Sequence, residues 1–573
     1  MDRSGRAAGV EPSPAGAARV LDRFALVHRA LGDRQRGLAY ERAAASVRAE
    51  PDRLRAGATR ADLERLPFVG PGISARLEEY LATGRVRALE ALEAKLPRDF
   101  ERFVEIPGIG PALALRIAAE GGVSTVEDLA RAAESGRILR VAGVTERHRR
   151  AILAKLPALR APPRRVALLA KASRIAERVV SDFDRSGAFA RAVVAGEARR
   201  GRALVDRVAV IAAALDAVDA RQALGEMGFV PVSEGLFRLD DDVPVEVRLA
   251  NASDFGAALV ESTGDEAHVA ALAARAAARG LRLAGGRLAR ENGTEVPAPS
   301  EDAVYGLLGL ATPPPELRES PAAFAWRGAL VEEADIVGDL HVHTRASDGR
   351  ATLPEMVEAA ARRGRRWVAV SDHAAGLPVP RGLDEDALAA RVAEVRGGAF
   401  PIPVLVGCEA NILEDGSLGV DAAALEALDV VVGSAHSKLD QPRGAMTRRI
   451  VDALSTGLVD VLGHVTNRRL PARPESDFDV ERVLDAVRSA GAALEINGSP
   501  ERMDPPAPIL RRARELGIPF ALDSDAHAPG EFANVRWGVV AARRGGVPPG
   551  EVLTARPFDE VRRFLASRRR RAP

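Results

Sequence analysis

Along the first 160 residues, apolar side chains recur every three or four positions in short runs cut by glycine-containing turns, which predicts a helical region of brief amphipathic helices. From 166 the period changes. The run VALLAKASRIAERVVSDF (166–183) predicts a long helix, FARAVVAG, DRVAVIAAA and VPVEVRLA predict strands, and 254–283 predicts helices with an intervening turn. A proline-rich stretch, ATPPPELRESP (311–321), marks the approach to a linker. From 334 onward seven apolar strand-like runs alternate with helical stretches: DIVGDLHVH, WVAVSDH, PVLVGCE, DVVVGSAH, VDVLGH, AALEIN and PFALDSDAH. Such alternation predicts a parallel α/β barrel or sheet, whose chemistry collects at the carboxyl ends of the strands.

At 573 residues the chain exceeds what one hydrophobic core serves, and 47% hydrophobic with 28% charged residues is the balance of a folded multidomain protein. The single cysteine, Cys408, excludes a disulfide framework and a Cys-based zinc finger, and fits a reduced cytosolic setting. The first twenty residues lack the apolar core of a signal peptide, and no run approaches the ~18 apolar residues of a membrane helix. A cytoplasmic protein without a membrane partner, monomeric by default, is expected. The net charge of +1 hides an asymmetry: residues 1–200 carry 37 basic against 25 acidic groups, 201–340 carry 12 against 23, and 341–573 are balanced. The basic amino-terminal segment calls for a polyanionic partner. The terminal RRRR (568–571) reads as a solvated tail.

Three turns in that basic segment resemble one another: LPFVGPGISARL (66–77), IPGIGPALALRI (106–117) and, more weakly, VAGVTERHRRAI (141–152). Each is a glycine hairpin feeding a helix, the pattern of a helix-hairpin-helix. Gly70, Gly72, Gly108 and Gly110 let the backbone turn tightly, and amides at the next helix start can take a DNA phosphate without reading a base.

Six of the nine histidines (His341, His343, His373, His436, His464 and His527) stand at the ends of the barrel runs. The other three, His28, His148 and His268, lie in helical contexts and read as surface or core residues. A strand's period of two puts His341 with His343, and Asp525 with His527, on one face. With Asp348 and Glu409 they form a mixed imidazole and carboxylate set suited to several Zn²⁺ or Mn²⁺ ions rather than Mg²⁺.

The motifs DLHVHTRASDG, SDH, GCE, SAHS, GH and DSDAH, together with the hairpins and the strand pattern after 166, resemble a bacterial family X DNA polymerase (PolX) fused to a PHP (polymerase and histidinol phosphatase) domain, over about residues 15–573. The resemblance implies a helical DNA-binding region (1–160), an α+β nucleotidyltransferase-like palm (161–251), a thumb-like subdomain (252–318), a linker (319–333) and a distorted (β/α)7 PHP barrel (334–573). It further implies three divalent ions, Mn²⁺ or Zn²⁺. His341, His343, Glu409 and Asp525 would surround one; Glu409 would bridge to a second held by His436 and His464; Asp348, His373 and His527 would hold the third. His341, His343, Glu409, His436 and Asp525 are the implied catalytic set, with Asp339 behind them and Cys408 as packing.

In active palms of this family the equivalent of 196–210 reads approximately GSxRRGxxxxxDxD, and its aspartates hold two Mg²⁺ ions. Here Arg200 and its glycines are kept, but Arg207 and Ala209 stand in the acid positions and Glu246 in the third; Glu197 replaces a serine that would touch the incoming triphosphate. Asp206 is one residue out of register, expected on the opposite strand face. Two-metal phosphoryl transfer needs the missing carboxylates, so a silent, degenerate polymerase site is expected. Arg76 likewise stands where some family members use a lysine for abasic-sugar chemistry, and a guanidinium cannot form that Schiff base. The expected activity is therefore a metal-dependent 3′–5′ exonuclease on gapped, nicked or 3′-ended DNA. The alternatives are an active gap-filling polymerase, a small-molecule PHP phosphoesterase and a non-enzymatic DNA-end scaffold.

Overall fold

The computed structural model describes residues 14–50, 53–54, 58–104, 106–160, 166–233, 235–239, 243–376 and 382–569. The chain divides into two compact units, 1–164 and 165–573.

The first unit is helical. Helices Pro14–Ala30 and Arg34–Ala49 pack together, the second started by Asp33, whose side chain accepts the Arg36 N–H. Leu21, Phe24, Tyr40, Leu63 and Leu77 close one core, and Phe103, Ile106, Ile117, Leu129 and Ile152 another. Each strong hairpin delivers a helix in the same way. Gly70 caps Pro71–Thr83 and Gly110 caps Pro111–Gly121, with proline at the first helical position, where its missing N–H costs nothing.

The second unit opens with helix Leu169–Ser186, whose buried Leu169, Ala172, Ile175, Ala176, Val179 and Phe183 recur at helical spacing. It lies against a five-stranded sheet built from β1 (Phe189–Ala195), β2 (Val208–Ala214), β3 (Val230–Ser233), β4 (Leu236–Arg238) and β5 (Pro244–Leu249), in the order β1-β2-β5-β4-β3. β2 and β5 run parallel, which sets Ala209 beside Glu246. Helices Phe255–Thr263, Glu266–Ala277 and Glu301–Leu307 follow, with a hairpin over 281–290. Glu301 is the knot between these helices and the sheet: it accepts both guanidinium nitrogens of Arg199 (2.7 and 2.6 Å) and pairs with the fully buried Arg318.

The barrel strands are β6 (Val368–Val370), β7 (Val404–Asn411), β8 (Val430–Ser434), β9 (Val461–Leu462), β10 (Ala493–Asn497) and β11 (Phe520–Asp523), all parallel and adjacent in chain order. The first of the seven expected runs, DIVGDLHVH, is not a regular strand. It still closes the ring: Ala369 and Ser371 donate to the Asp339 and Val342 carbonyls on one side, and His343 donates to Ala526 on the other. The ladder fails locally because the Leu340 and Val342 N–H groups are taken by the Asp523 carboxylate and the Ser371 hydroxyl.

Three further expectations are corrected. The stretch 319–333 is fastened to the barrel: Glu319 accepts from Arg544 at 2.7 Å, and Val331 is fully buried and donates its backbone N–H to the Val547 carbonyl. Arg568 is no solvated tail residue; it is buried, 3.3 Å from Asp460, at the end of helix Phe558–Arg569, while 570 and 571 lie outside the described residues. Asp206 sits in a bend before β2, not on a strand, so alternation does not turn it away; it lines the same cleft as Arg207 and Ala209.

The palm also meets the barrel directly. Gly201, at φ +69°, has no room for a side chain: a Cβ there would lie 2.2 Å from Val540 on barrel helix Val535–Arg544, and the Arg200 carbonyl accepts from Arg544 at 2.8 Å.

Candidate metal centre

The strand ends converge as parallel barrel geometry requires. β7 supplies Glu409, the turns after β6, β8, β9 and β11 supply His373, His436, His464 and Asp525 with His527, and the irregular first stave supplies His341 and His343. Gly463 lets the β9 turn pass, since a Cβ there would stand 2.3 Å from the Ser434 hydroxyl. Asp525 (φ +53°) and His464 (φ +21°) hold backbone conformations that L-residues avoid, strain that the surrounding barrel sustains at the site itself.

Glu409 is the hub. Its Oε1 lies 2.9 Å from His464 Nε2 and 3.1 Å from His436 Nε2; its Oε2 lies 2.9 Å from His373 Nδ1 and 3.4 Å from His341 Nε2. Asp525 Oδ1 stands 3.4 Å from His343 Nε2 and 3.7 Å from His341 Nε2, while Asp348 Oδ2 lies 3.4 Å from His527 Nε2 and 3.5 Å from His373 Nε2. Three sets of donor atoms are each close enough to share one ion: His343, Asp348, His373 and His527; His341, His343 and Asp525; His373, Glu409 and His436. These sets share His343 and His373, whereas the ones the resemblance implies share Glu409. His373 faces Glu409 with one nitrogen and Asp348 with the other, and His343 stands between two sets.

The donors fit divalent ions on an independent observation. His341 Nε2, both ring nitrogens of His343, His373 Nδ1, His436 Nε2 and His464 Nδ1 are buried without a hydrogen-bond partner, and six such orphans in one pocket are costly unless cations take their lone pairs. Electrostatics agree. Burial alone would raise Glu409 and Asp525, yet the imidazoles around them hold both carboxylates well below the usual range. Against burial, Glu409 and Asp348 push His373 up to about 10, and Asp348 and Asp525 push His527 up to about 9, while burial and neighbouring imidazoles push His343 down to about 4. Protons on imidazoles thus balance the buried acids where divalent ions would.

The sequence reading missed Glu495. Fully buried in the middle of β10, it meets His341 Nδ1 at 2.6 Å and accepts the His464 N–H. A carboxylate accepts, so Nδ1 carries the proton and Nε2 is left for a metal. Its signal was the run AALEIN, the one barrel run whose carboxylate stands two residues before its end. Asp339 lies behind the site, as expected, accepting from His341 and Ser524 N–H groups. Cys408 is fully buried beside Glu409 in the core of the barrel.

The palm cleft, about 390 Å³, is lined by Gly196, Glu197, Arg200, Asp206, Arg207, Ala209 and Glu246 among others. Several of its polar groups are engaged within the protein. Arg207 Nη1 lies 3.4 Å from Glu246, Glu197 accepts the Asp206 N–H at 2.9 Å, and Arg200 is buried with its Nη1 on the Thr263 carbonyl. In the helical unit, Arg76 lies over the rings of Phe24 and Tyr40 and donates to the Gly72 carbonyl.

A parallel barrel with a histidine and carboxylate mouth, preceded by a palm-like sheet and a thumb-like helical set, defines a polymerase-type chain with an added phosphoesterase-type domain. Comparison with known proteins agrees for the helical, thumb-like and barrel segments. The PHP domain family matches residues 339–499, the DNA polymerase beta thumb 258–319, a helix-hairpin-helix domain 15–86 and a SAM-like helix-hairpin-helix tandem 100–156. The chain is 29% identical to the DNA polymerase/3′-5′ exonuclease PolX of Bacillus subtilis, over 96% of this chain and 98% of that protein. Its barrel is also 29% identical to probable phosphatases of Caldanaerobacter subterraneus and Vibrio parahaemolyticus, covering 41% and 40% of this chain and 93% and 92% of theirs. The chain thus carries a PHP domain and a polymerase-beta-type thumb, and it is similar along nearly its whole length to a bacterial PolX.

Proposed function

We propose that this chain is a DNA-repair nuclease: the PHP cluster hydrolyses phosphodiesters from 3′ ends, the helix-hairpin-helix and polymerase-like modules hold gapped or nicked DNA, and the palm no longer synthesises. The observation that carries the reading is the contrast between two sites in one chain. At the barrel mouth six orphaned imidazole nitrogens surround three carboxylates; in the palm a guanidinium occupies the place of cations.

His341, His343, Asp348, His373, Glu409, His436, His464, Asp525 and His527 would hold the ions, three Mn²⁺ or Zn²⁺ being the set the donors favour. Divalent ions at such a site supply a nucleophile at neutral pH and neutralise phosphoryl oxygens. The chain's own part is to hold His341 in one tautomer through Glu495 and to keep Glu409 and Asp525 ionised. The basic helical unit supplies sequence-independent phosphate contacts.

The deciding measurement is Mn²⁺-dependent release of mononucleotides from a 3′-recessed duplex. It is expected in the intact chain and absent from the His341→Ala, His343→Ala double variant; persistence in that variant removes the assigned site. A second reading, phosphatase action on small monoesters, draws on the probable phosphatases that share the barrel. Faster turnover of a small phosphate monoester than of the DNA end would favour it.

A further inference from the structure

The two strong hairpins align in sequence, LPFVGPG on IPGIGPA, with both prolines and the central glycine shared, and their largest difference is at the tip of the turn: Phe68 stands where the second has Gly108. Both residues hold positive φ, +62° at Phe68 and +85° at Gly108. For glycine that conformation is free, whereas for a bulky aromatic it is an uncommon, strained one. Nothing in the fold repays it, because Phe68 is 62% exposed and is, among the described residues, the one aromatic ring among the strongly exposed large apolar side chains. The same tip of the second hairpin is covered, with His148 where a Cβ on Gly108 would point. Beside Phe68 stands Arg42, its guanidinium 5.5 Å from the ring centre. A strained, outward aromatic with a cation at its side, in the basic part of the chain, is chemistry suited to a base face next to a phosphate.

We infer that Phe68 is a stacking residue that recognises interrupted duplex DNA, its ring covering the base exposed at a gap while Arg42 meets the adjoining phosphate. The inference rests on the DNA-binding part of the proposed function and is independent of nuclease activity. Intact duplex offers no open base face, so Phe68 adds affinity only where the stack is broken. The hairpin amides and arginines bind both forms alike.

The test uses the full chain in buffer without divalent metal, so that no DNA is cut, and a one-nucleotide-gapped duplex with 2-aminopurine at the gap margin. Wild type is expected to change the 2-aminopurine fluorescence on binding and to prefer gapped over intact duplex. Phe68→Gly should lose that signal and bind gapped DNA about tenfold more weakly, keep its affinity for intact duplex, and melt no lower than wild type, because glycine relieves the strained φ. Phe68→Trp should keep both signal and preference. The inference is overturned if Phe68→Gly binds gapped DNA as tightly as wild type, if it weakens both DNAs equally, or if wild type shows no preference for the gap. Absence of DNA binding by wild type would sink the DNA-binding reading along with it. Gap preference without 3′-end release would leave this inference standing and remove only the nuclease.

Discussion

Arg207 reaches Glu246 across the parallel pair β2 and β5, Nη1 to Oε2 at 3.4 Å, with Ala209 in register beside Glu246. In a palm that works by two metals this is where cations would be gathered, and here the chain supplies its own. A guanidinium can donate hydrogen bonds to a phosphoryl oxygen, but it has no coordination position that would hold attacking and leaving oxygens together as two metal ions do.

The first prediction follows from that pair. Purified protein is expected to incorporate no labelled dNMP into a one-nucleotide gap with Mg²⁺ or Mn²⁺, and Glu246→Ala is expected to change nothing. Incorporation by wild type that vanishes in Glu246→Ala would restore the palm as a working site.

Glu409 has five imidazoles within 3.7 Å, more than any other carboxylate of the centre. Glu409→Gln keeps the shape and removes the charge. It should lower bound metal, measured by elemental analysis, and reduce 3′-end hydrolysis by well over the ~100-fold that loss of an outer partner costs. Full metal content in this variant would show that the hub lies elsewhere.

Glu495 acts through His341. Glu495→Gln is expected to weaken metal affinity by roughly 10–100-fold with the fold intact, read by competition with a chelator. The variant to compare is Glu495→Asp, which keeps the acceptor; unchanged affinity in Glu495→Gln would leave the 2.6 Å contact without a role in holding the ring.

His268 offers a pH test remote from the centre. It is fully buried, its Nδ1 on the Ser320 carbonyl and its Nε2 2.7 Å from the Tyr305 hydroxyl, and burial lowers its pKa below 6.5. The folded state therefore favours the neutral ring, and the unfolded chain takes the proton first as pH falls. The stability this supplies is complete above about pH 6.5 and shrinks below it, by up to ~1.4 kcal/mol per pH unit until the folded ring also titrates. The Tm advantage of wild type over His268→Gln should narrow between pH 8 and pH 5; a constant gap would contradict the assignment.

Much of the barrel was legible because its signal is local. Six of the seven strand runs end in a histidine or a carboxylate, and six of nine histidines falling there leaves little room for chance. The first stave was misread as regular strand because its N–H groups go to Asp523 and Ser371, partners 183 and 29 residues away. Asp206 was misplaced for a related reason: alternation applies only inside a strand, and a bend begins just before β2.

Sequence alone determined which chemistry this chain can attempt, since ligand types at strand ends, glycines at hairpins and the arginine in the palm are properties of single positions and their spacing. Tertiary structure decided how the donors are shared, that His373 serves two sets, that Glu495 holds His341, and that Arg568 and the 319–333 stretch are tied down. Those outcomes depend on distances between residues far apart in the chain, and only closure of the barrel brings their charges within a few ångströms of one another.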